Sequence, residues 1–415
     1  MRTVPPRKSD INESENESDM NIRNSRPALL FTMVVLLAQH LMPGRPAAQE
    51  LDVRPITVGY VTKIYSKVLG EERPILIDFP IGYNLTQSRY PVLIITDGVA
   101  HFHHATASAD FLSTAGRIPQ MIVVGIPNID RGRDLTPTHI EEQATSGGGD
   151  AFLKFIEEEL IPHIDQHYRT QPYRVFFGHS LGGMLAVHAL MTHPDLFDAC
   201  IAASPYLEYD NERVIDEAGE ILESKPDLGN SLFLSVGDEP DYLAPLKRLT
   251  GLLEESGDTG LRWEYVVLED DNHMSTPLKS IYQGLEMIFA DWRLPYDLAD
   301  GDLSSIEAHY EKLSDKLGYE ILIPEGLLNQ IGYLLLAEEK YDDAIAAFEL
   351  NIASYPESAN VYDSLGETYE TMKEWSLAKV NYEKAYNRGL EIEDPNTGIY
   401  KQHLDALLDK LSEFD

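Results

Sequence analysis

From Ile56 to about Arg293, short runs of β-branched and apolar residues alternate with amphipathic stretches of helical length. The runs are Ile75–Phe79, Val92–Ile95, Met121–Ile126, Val175–Phe177, Ala199–Ala203, Leu232–Val236 and Glu264–Leu268. Several are apolar at every position, which fits strands buried on both faces of a parallel sheet. Between them, helical patterns cover Ala151–His167, Met184–Thr192, Tyr242–Ser256 and Leu278–Trp292. Strands alternating with helices of this length predict an α/β fold, a mostly parallel sheet flanked by helices. The residues up to Phe79 read as a strand pair joined around Gly70–Pro74, so an antiparallel edge is expected.

Past Pro295 no convincing strand pattern remains, and residues 302–415 carry 9 basic and 24 acidic residues. This segment repeats itself. Leu328, Ile331, Gly332, Leu335, Ala344 and Phe348 are matched 34 residues later by Tyr362, Leu365, Gly366, Tyr369, Ala378 and Tyr382. That period resembles the tetratricopeptide repeat, in which small Gly and Ala residues permit close helix packing and bulky residues fill the layer between. Two repeats fall short of a stable stack, so helices around Ser304–Leu317 and Tyr400–Leu411 are expected to complete and cap it.

The N-terminal residues predict an address label. Residues 1–26 are polar, with five basic and five acidic side chains; an apolar stretch from Ala28 to Met42 follows Arg23 and Arg26. Its 15 residues are fewer than the ~20 a spanning helix needs. With Ala47 and Ala48 behind it, the pattern reads as a secretory signal peptide, with Met20 an alternative start and an uncleaved anchor the competing reading. Residues 1–48 are therefore leader, 49–295 the α/β domain and 302–415 the helical domain. A periplasmic or secreted location is expected, without stable membrane insertion once the leader is cleaved.

Charge narrows the partners. With 33 Lys+Arg against 69 Asp+Glu, the chain carries a formal −36 and would repel nucleic-acid phosphates. The single cysteine, Cys200, rules out an intramolecular disulfide and a cysteine zinc cluster, and its apolar strand marks it as an inert core thiol.

The sharpest chemical signal is Gly178-His179-Ser180-Leu181-Gly182-Gly183, between the run Val175-Phe176-Phe177 and the helix near Met184. A serine on so tight a strand-to-helix turn is exposed and strained, and the residues two before and two after it approach so closely that glycine fits best. Ser180 is therefore the candidate nucleophile. It needs a base, and the base needs an orienting acid. The expected order is serine, acid, histidine. Of the later histidines, His188 and His193 lie on the helix after the elbow, and His309 and His403 lie in the helical region. His273 remains, in a polar loop directly after a late strand. The preceding strand ends in Gly237-Asp238-Glu239-Pro240-Asp241, and its three carboxylates are alternatives for the acid. An oxyanion hole needs two backbone donors: Leu181 after the nucleophile, and Gly98 or Val99 in the loop after Val92–Ile95.

With these residues placed, Ile56–Trp292 resembles the Putative esterase family of α/β-hydrolases, which includes esterase D-like enzymes and siderophore-ester hydrolases. The resemblance rests on Leu69–Pro74, Tyr90-Pro91-Val92-Leu93, Asp97-Gly98 with His101-Phe102, Arg131–Pro137, Gly178–Gly183, Ser204-Pro205 and Asn272-His273-x-Ser275. It implies an α/β-hydrolase fold and a glutamate acid shortly after the glycine, which favours Glu239. It also implies a serine esterase that needs no cofactor and works through an acyl-enzyme. Two rivals share the machinery, a siderophore trilactone esterase and an acyltransferase. A third, from another class, is a non-catalytic protein that binds partners through its helical repeats.

Other features are open to two readings. Arg131 and Arg133 could hold an anionic substrate group or pair internally with Asp134. Tyr206, with Tyr209, could line an aromatic pocket or simply pack, and His179 is a further candidate contact with a small-molecule ester. His101, His103 and His104 lack acidic partners at metal-ligand spacing, so no metal is expected. The loop Asn128–Gly149, rich in glycine at its end, is a candidate pocket wall or lid. The helical domain could dock a protein partner or pack on the hydrolase.

Overall fold

The computed structural model describes residues 56–85, 87–224, 227–295 and 303–413. The leader expected over residues 1–48 lies outside the described residues. Among those described, no helix is long and apolar enough to cross a membrane. Eight strands form one sheet: β1 (Tyr60–Ser66), β2 (Glu71–Asp78), β3 (Tyr90–Ile95), β4 (Ile122–Gly125), β5 (Thr170–His179), β6 (Ala199–Ala203), β7 (Ser231–Val236) and β8 (Arg262–Val267). Their order is β1-β2-β4-β3-β5-β6-β7-β8. The β1–β2 and β2–β4 pairs are antiparallel and all others parallel. The expected edge hairpin is present, but its turn lies before Glu71. Arg73 and Pro74 instead pair with Ile64 and Lys63 inside the ladder, and Glu159 accepts the Lys67 amide at 2.8 Å to hold the turn.

Alternation along the central strands explains the uninterrupted apolar runs. Val92 and Ile94 of β3, Cys200 and Ala202 of β6, and Leu232 and Leu234 of β7 point into one core. Leu93, Ile95, Ile201 and Phe233, one residue out of phase, point into the other. Helices cover both faces, so neither set of side chains meets water. Cys200 is fully buried, and burial pushes its thiol up, which fits an inert core residue. The helix expected over Ala151–His167 forms with a π turn at Ile156–Leu160. A further segment, Tyr209–Glu223, is helical after a kink at Asp210, Asn211 and Glu212, whose φ values are positive.

The C-terminal residues form helices Leu303–Leu317, Glu325–Ala337, Tyr341–Ser354, Ala359–Thr371, Trp375–Glu391 and Thr397–Ser412. The 34-residue correspondence has a steric meaning. A Cβ on Gly332 would lie 2.5 Å from the Phe348 ring, and one on Gly366 would lie 2.7 Å from the Tyr382 ring. Each glycine lets its partner helix bring an aromatic ring against the backbone. Residues 57–415 make one compact unit. Ile306, Tyr310, Leu313 and Leu328 share a core with Leu285 and Phe289 of the hydrolase, so the helical region packs on the α/β sheet's helix layer.

One buried charge weakens this frame. Asp78, half-buried at the end of β2, has its carboxyl pushed up to about 6 by burial and by the Asp110 charge. The unfolded chain ionises near 3.8, so it loses its proton first as pH rises, and stability falls between about pH 4 and pH 6. Asp78→Asn is expected to raise the unfolding free energy by about 1 kcal/mol at pH 7.5, after allowing for solvent screening. The gain should vanish near pH 3.5. Thermal melts at the two pH values check it, and an equal gain at both would rule out a charge effect.

Candidate active site

The parallel strands end on one edge of the sheet, and the candidate residues sit on the loops leaving β3, β5, β7 and β8. Ser180 stands between β5 and the helix Leu181–Thr192 with φ 60° and ψ −115°. A non-glycine residue is costly in that region, and only the surrounding packing holds it there. Its amide donates to the Ala203 carbonyl at 3.0 Å, and its carbonyl accepts from the Tyr206 amide at 3.0 Å. The glycines beside it are sterically required. A Cβ on Gly178 would fall 1.9 Å from the Gly182 carbonyl oxygen, and one on Gly182 would fall 2.4 Å from Thr96 Oγ1. Ser180 is thus pushed out at the helix N-terminus, half-buried.

His273 occupies the loop after β8. Its Nδ1 lies 2.5 Å from Glu239 Oε1. The other carboxylate oxygen, Oε2, accepts from Ser204 Oγ at 2.6 Å and from the Gly237 amide at 3.0 Å. Asp238 and Asp241 are exposed to solvent. Spacing left three carboxylates; the fold brings Glu239 to the imidazole. With Nδ1 engaged, Nε2 is the ring nitrogen left for chemistry. The ring is flanked by His179, 4.4 Å away between centroids, and by Tyr242, 4.7 Å away. Sequence reading placed Tyr242 only as the start of a helix. The available signal was an aromatic residue one helical turn after the acid.

The oxyanion donors separate cleanly. The Gly98 amide, expected as a candidate, donates to the Ile126 carbonyl at 2.9 Å and is unavailable. Close approach explains this, since a Cβ on Gly98 would lie 2.8 Å from the Ile126 nitrogen. Val99 and Leu181 open their helices, where amides have no intrahelical acceptor, and both remain available.

Both arginines are paired with carboxylates. Arg131 forks onto Asp97 at 2.6 and 3.0 Å and reaches the His179 carbonyl at 3.3 Å, bracing the elbow from below. Arg133 bonds Glu71 and Asp134 (Nε to Oδ1, 2.7 Å) in a network with the buried Arg73. Of the two readings of Arg133, the structure shows the internal pair with Asp134 and not a substrate contact: buried Asp134 carries two guanidinium partners, and releasing one would leave charge uncompensated. The loop 128–149 is tied down by hydrogen bonds: Thr136 Oγ1 accepts from the Gly147 amide at 2.8 Å, and Tyr209 donates to the Thr138 carbonyl at 3.1 Å.

Tyr206 joins Tyr242, at 5.7 Å between centroids, in an aromatic wall beside His273. His179 is buried, and burial together with the neighbouring His273 holds it down to about 3. It is neutral near pH 7, so His179 itself adds no positive charge beside an imidazolium on His273. His101 and His104 are bonded to each other at 3.0 Å, and burial lowers both. Among the described residues no group of His, Cys, Asp and Glu could hold a metal. Of the excluded histidines, His188 is locked between Glu217 and Asp150, and His403 pairs with Asp363.

Sheet, elbow and loop chemistry define an α/β-hydrolase of the serine type. Comparison with known proteins specifies it further. The model of the Putative esterase family matches residues 66–269, just under half of the chain. It is 28% identical over 267 residues to a siderophore triacetylfusarinine C esterase of Aspergillus fumigatus, covering 54% of this chain and 90% of that one. A ferri-bacillibactin esterase of Bacillus subtilis, BesA, is 28% identical over 45% of this chain and 74% of its own. Among solved structures, an IroE-like serine hydrolase from Shewanella oneidensis is 26% identical with a TM-score of 0.63, covering 71% of this chain and 98% of that one. The protein is a carboxylic ester hydrolase.

Proposed function

We propose that Ser180, His273 and Glu239 form the catalytic triad and that the substrate is an ester without anionic groups near the scissile bond. The observation that carries the reading is the 2.5 Å contact between His273 Nδ1 and Glu239 Oε1, next to a serine held at φ 60°. His273 Nε2 takes the Ser180 proton as Oγ attacks the carbonyl and then gives it to the departing alcohol. Glu239 fixes the tautomer and steadies the imidazolium. The amides of Val99 and Leu181 hold the tetrahedral oxyanion, and water resolves the acyl-enzyme.

Substrate class follows from charge. Related proteins are named for siderophore esters, which makes a siderophore lactone the second reading. An anionic catecholate complex would need a local basic pocket to overcome a chain charge of −36. Arg131 and Arg133 are both paired with carboxylates, which favours an uncharged ester against the aromatic wall of Tyr206 and Tyr242. The apolar stretch Ala28–Met42 supports action outside the cytoplasm.

Purified protein and Ser180→Ala, assayed on p-nitrophenyl esters of graded chain length, test the proposal. The variant should lose about 10⁴-fold or more in kcat while folding normally. Equal turnover by both proteins would remove the nucleophile assignment.

A further inference from the structure

The loop leaving β3 opens the helix Gly98–Thr114 with an aspartate that does not cap it. Asp97 is buried and stands at φ 51° and ψ 40°, a left-handed conformation that few residues other than glycine, asparagine and aspartate adopt. An aspartate in this position ordinarily accepts from the second or third amide of its helix, here Val99 or Ala100. This carboxylate makes no such bond. Its Oδ1 accepts from Arg131 Nε at 2.6 Å and from Asn128 Nδ2 at 2.5 Å, and its Oδ2 accepts from Arg131 Nη2 at 3.0 Å. The same Nη2 donates to the His179 carbonyl at 3.3 Å, one residue before the nucleophile. Oδ2 also lies 3.5 Å from where a Cβ on Gly182 would stand, so the carboxylate rests against the elbow.

We propose that Asp97 is a positioning residue for the oxyanion hole, acting through Arg131 to hold the loop that presents the Val99 amide in register with the elbow that presents the Leu181 amide. This inference rests on Ser180 as the nucleophile and on those two amides as the oxyanion donors.

The hole works only if both donors meet one oxygen. They stand at the N-termini of two different helices, on loops leaving β3 and β5. The ladder between those strands ends at the Ile95–Phe177 pair, with one further bond from the Thr96 amide to the Phe177 carbonyl. Beyond that point the Asp97–Arg131 pair links the two loops directly. A forked bond between guanidinium and carboxylate fixes direction as well as distance, and the Asp97 side chain is only 7% exposed, so water competes little for it. The pairing also settles where the negative charge goes. A carboxylate turned to the Val99 amide would occupy that donor and set its charge against the forming oxyanion. Held by Arg131 and Asn128, it leaves the amide free. The contribution is therefore realised as charge develops on the carbonyl oxygen, in acylation and deacylation alike, and not in binding the uncharged ester.

The test compares full-length wild type, Asp97→Asn, Arg131→Lys, the double variant and Ser180→Ala on a p-nitrophenyl ester and with an aryl trifluoromethyl ketone as inhibitor. Ser180 Oγ adds to the ketone carbon while its proton passes to His273, and the tetrahedral adduct keeps its oxyanion in the hole without turning over. Asparagine tolerates the left-handed backbone, so Asp97→Asn removes the charge and keeps the conformation. It should lower kcat by about 10²-fold with KM within about 3-fold, and weaken the ketone by the same factor as kcat/KM. Arg131→Lys keeps the charge but not the fork and should lose about 10-fold. The double variant should fall no more than about 3-fold below Asp97→Asn, because the two residues act through one contact. A merely structural role would lower the melting temperature or the active fraction without moving kcat and ketone affinity together. The inference is overturned if both single variants stay within about 3-fold of wild type in kcat/KM, if the loss lies in KM, which would make Arg131 a substrate contact, or if kcat falls while ketone affinity holds. Should Asp97→Asn fail to fold, Arg131→Lys and the ketone decide by the same criteria. If instead Ser180→Ala retains full turnover, the nucleophile assignment itself fails, a result that the Asp97 and Arg131 variants cannot mimic.

Discussion

Glu239→Gln is expected to lower kcat for ester hydrolysis by about 10⁴-fold, whereas Asp238→Asn and Asp241→Asn leave it within about 3-fold. The carboxylate Oε1 holds His273 Nδ1 at 2.5 Å, and Oε2 is fixed by Ser204 Oγ and the Gly237 amide. A glutamine keeps this shape but can turn its amide toward Nδ1. The ring then places its proton on Nε2, the position that must accept from Ser180. Loss of the negative charge also removes the partner of the imidazolium formed in the transition state. Asp238 and Asp241 are solvated and touch neither ring nor serine, so their neutralisation changes only a screened surface charge. Steady-state kinetics on the three variants, with melting points to confirm folding, measure this. Comparable losses in all three would move the acid away from Glu239.

Gly178→Ala is expected to abolish turnover and to destabilise the fold by about 3 kcal/mol or more. The new methyl would occupy space 1.9 Å from the Gly182 oxygen and 2.1 Å from its carbon, both backbone atoms. Neither can swing aside as a side-chain tip could, so the elbow must open. Ser180 would then lose its strained φ and its alignment with the Leu181 amide; a displacement near 1 Å costs on the order of 10²-fold in rate. Gly251→Ala provides the contrast. That glycine lies within the helix Pro240–Ser256 with open space around its Cβ position, and alanine there should stabilise by up to about 1 kcal/mol. Chemical denaturation of both variants checks the sign difference. A stable, active Gly178→Ala protein would show that the elbow is not constrained as described.

Local pattern was strong where the physics is local. β3, β5, β6 and β7 were visible because two-sided burial demands continuous apolar runs, and the helical repeat because a glycine and the ring packed on it recur together. The serine elbow was visible because its tight turn admits few residues. Legibility failed wherever a choice depended on atoms far apart in the chain. Asp238, Glu239 and Asp241 look alike in sequence; only the path of the loop after β7 against the loop after β8 selects one. Gly98 and Val99 are equivalent donors until β4 supplies the Ile126 carbonyl that occupies the first. Arg133 was open to two readings: its pairing with Asp134 is written in neighbouring residues, but its other partner, Glu71, lies 62 residues away.

The amino-acid order alone determined a strained serine on a strand–helix turn, a histidine later in the chain, and a helical repeat after the sheet, because backbone strain and hydrophobic periodicity are written in neighbouring residues. The tertiary structure alone decided which carboxylate meets the imidazole, which amides stay free, which arginines are already neutralised, and that Tyr242 packs against the His273 ring. Those outcomes depend on distances of a few ångströms between loops that the sheet brings together, and hydrogen bonds and ion pairs act only over such distances.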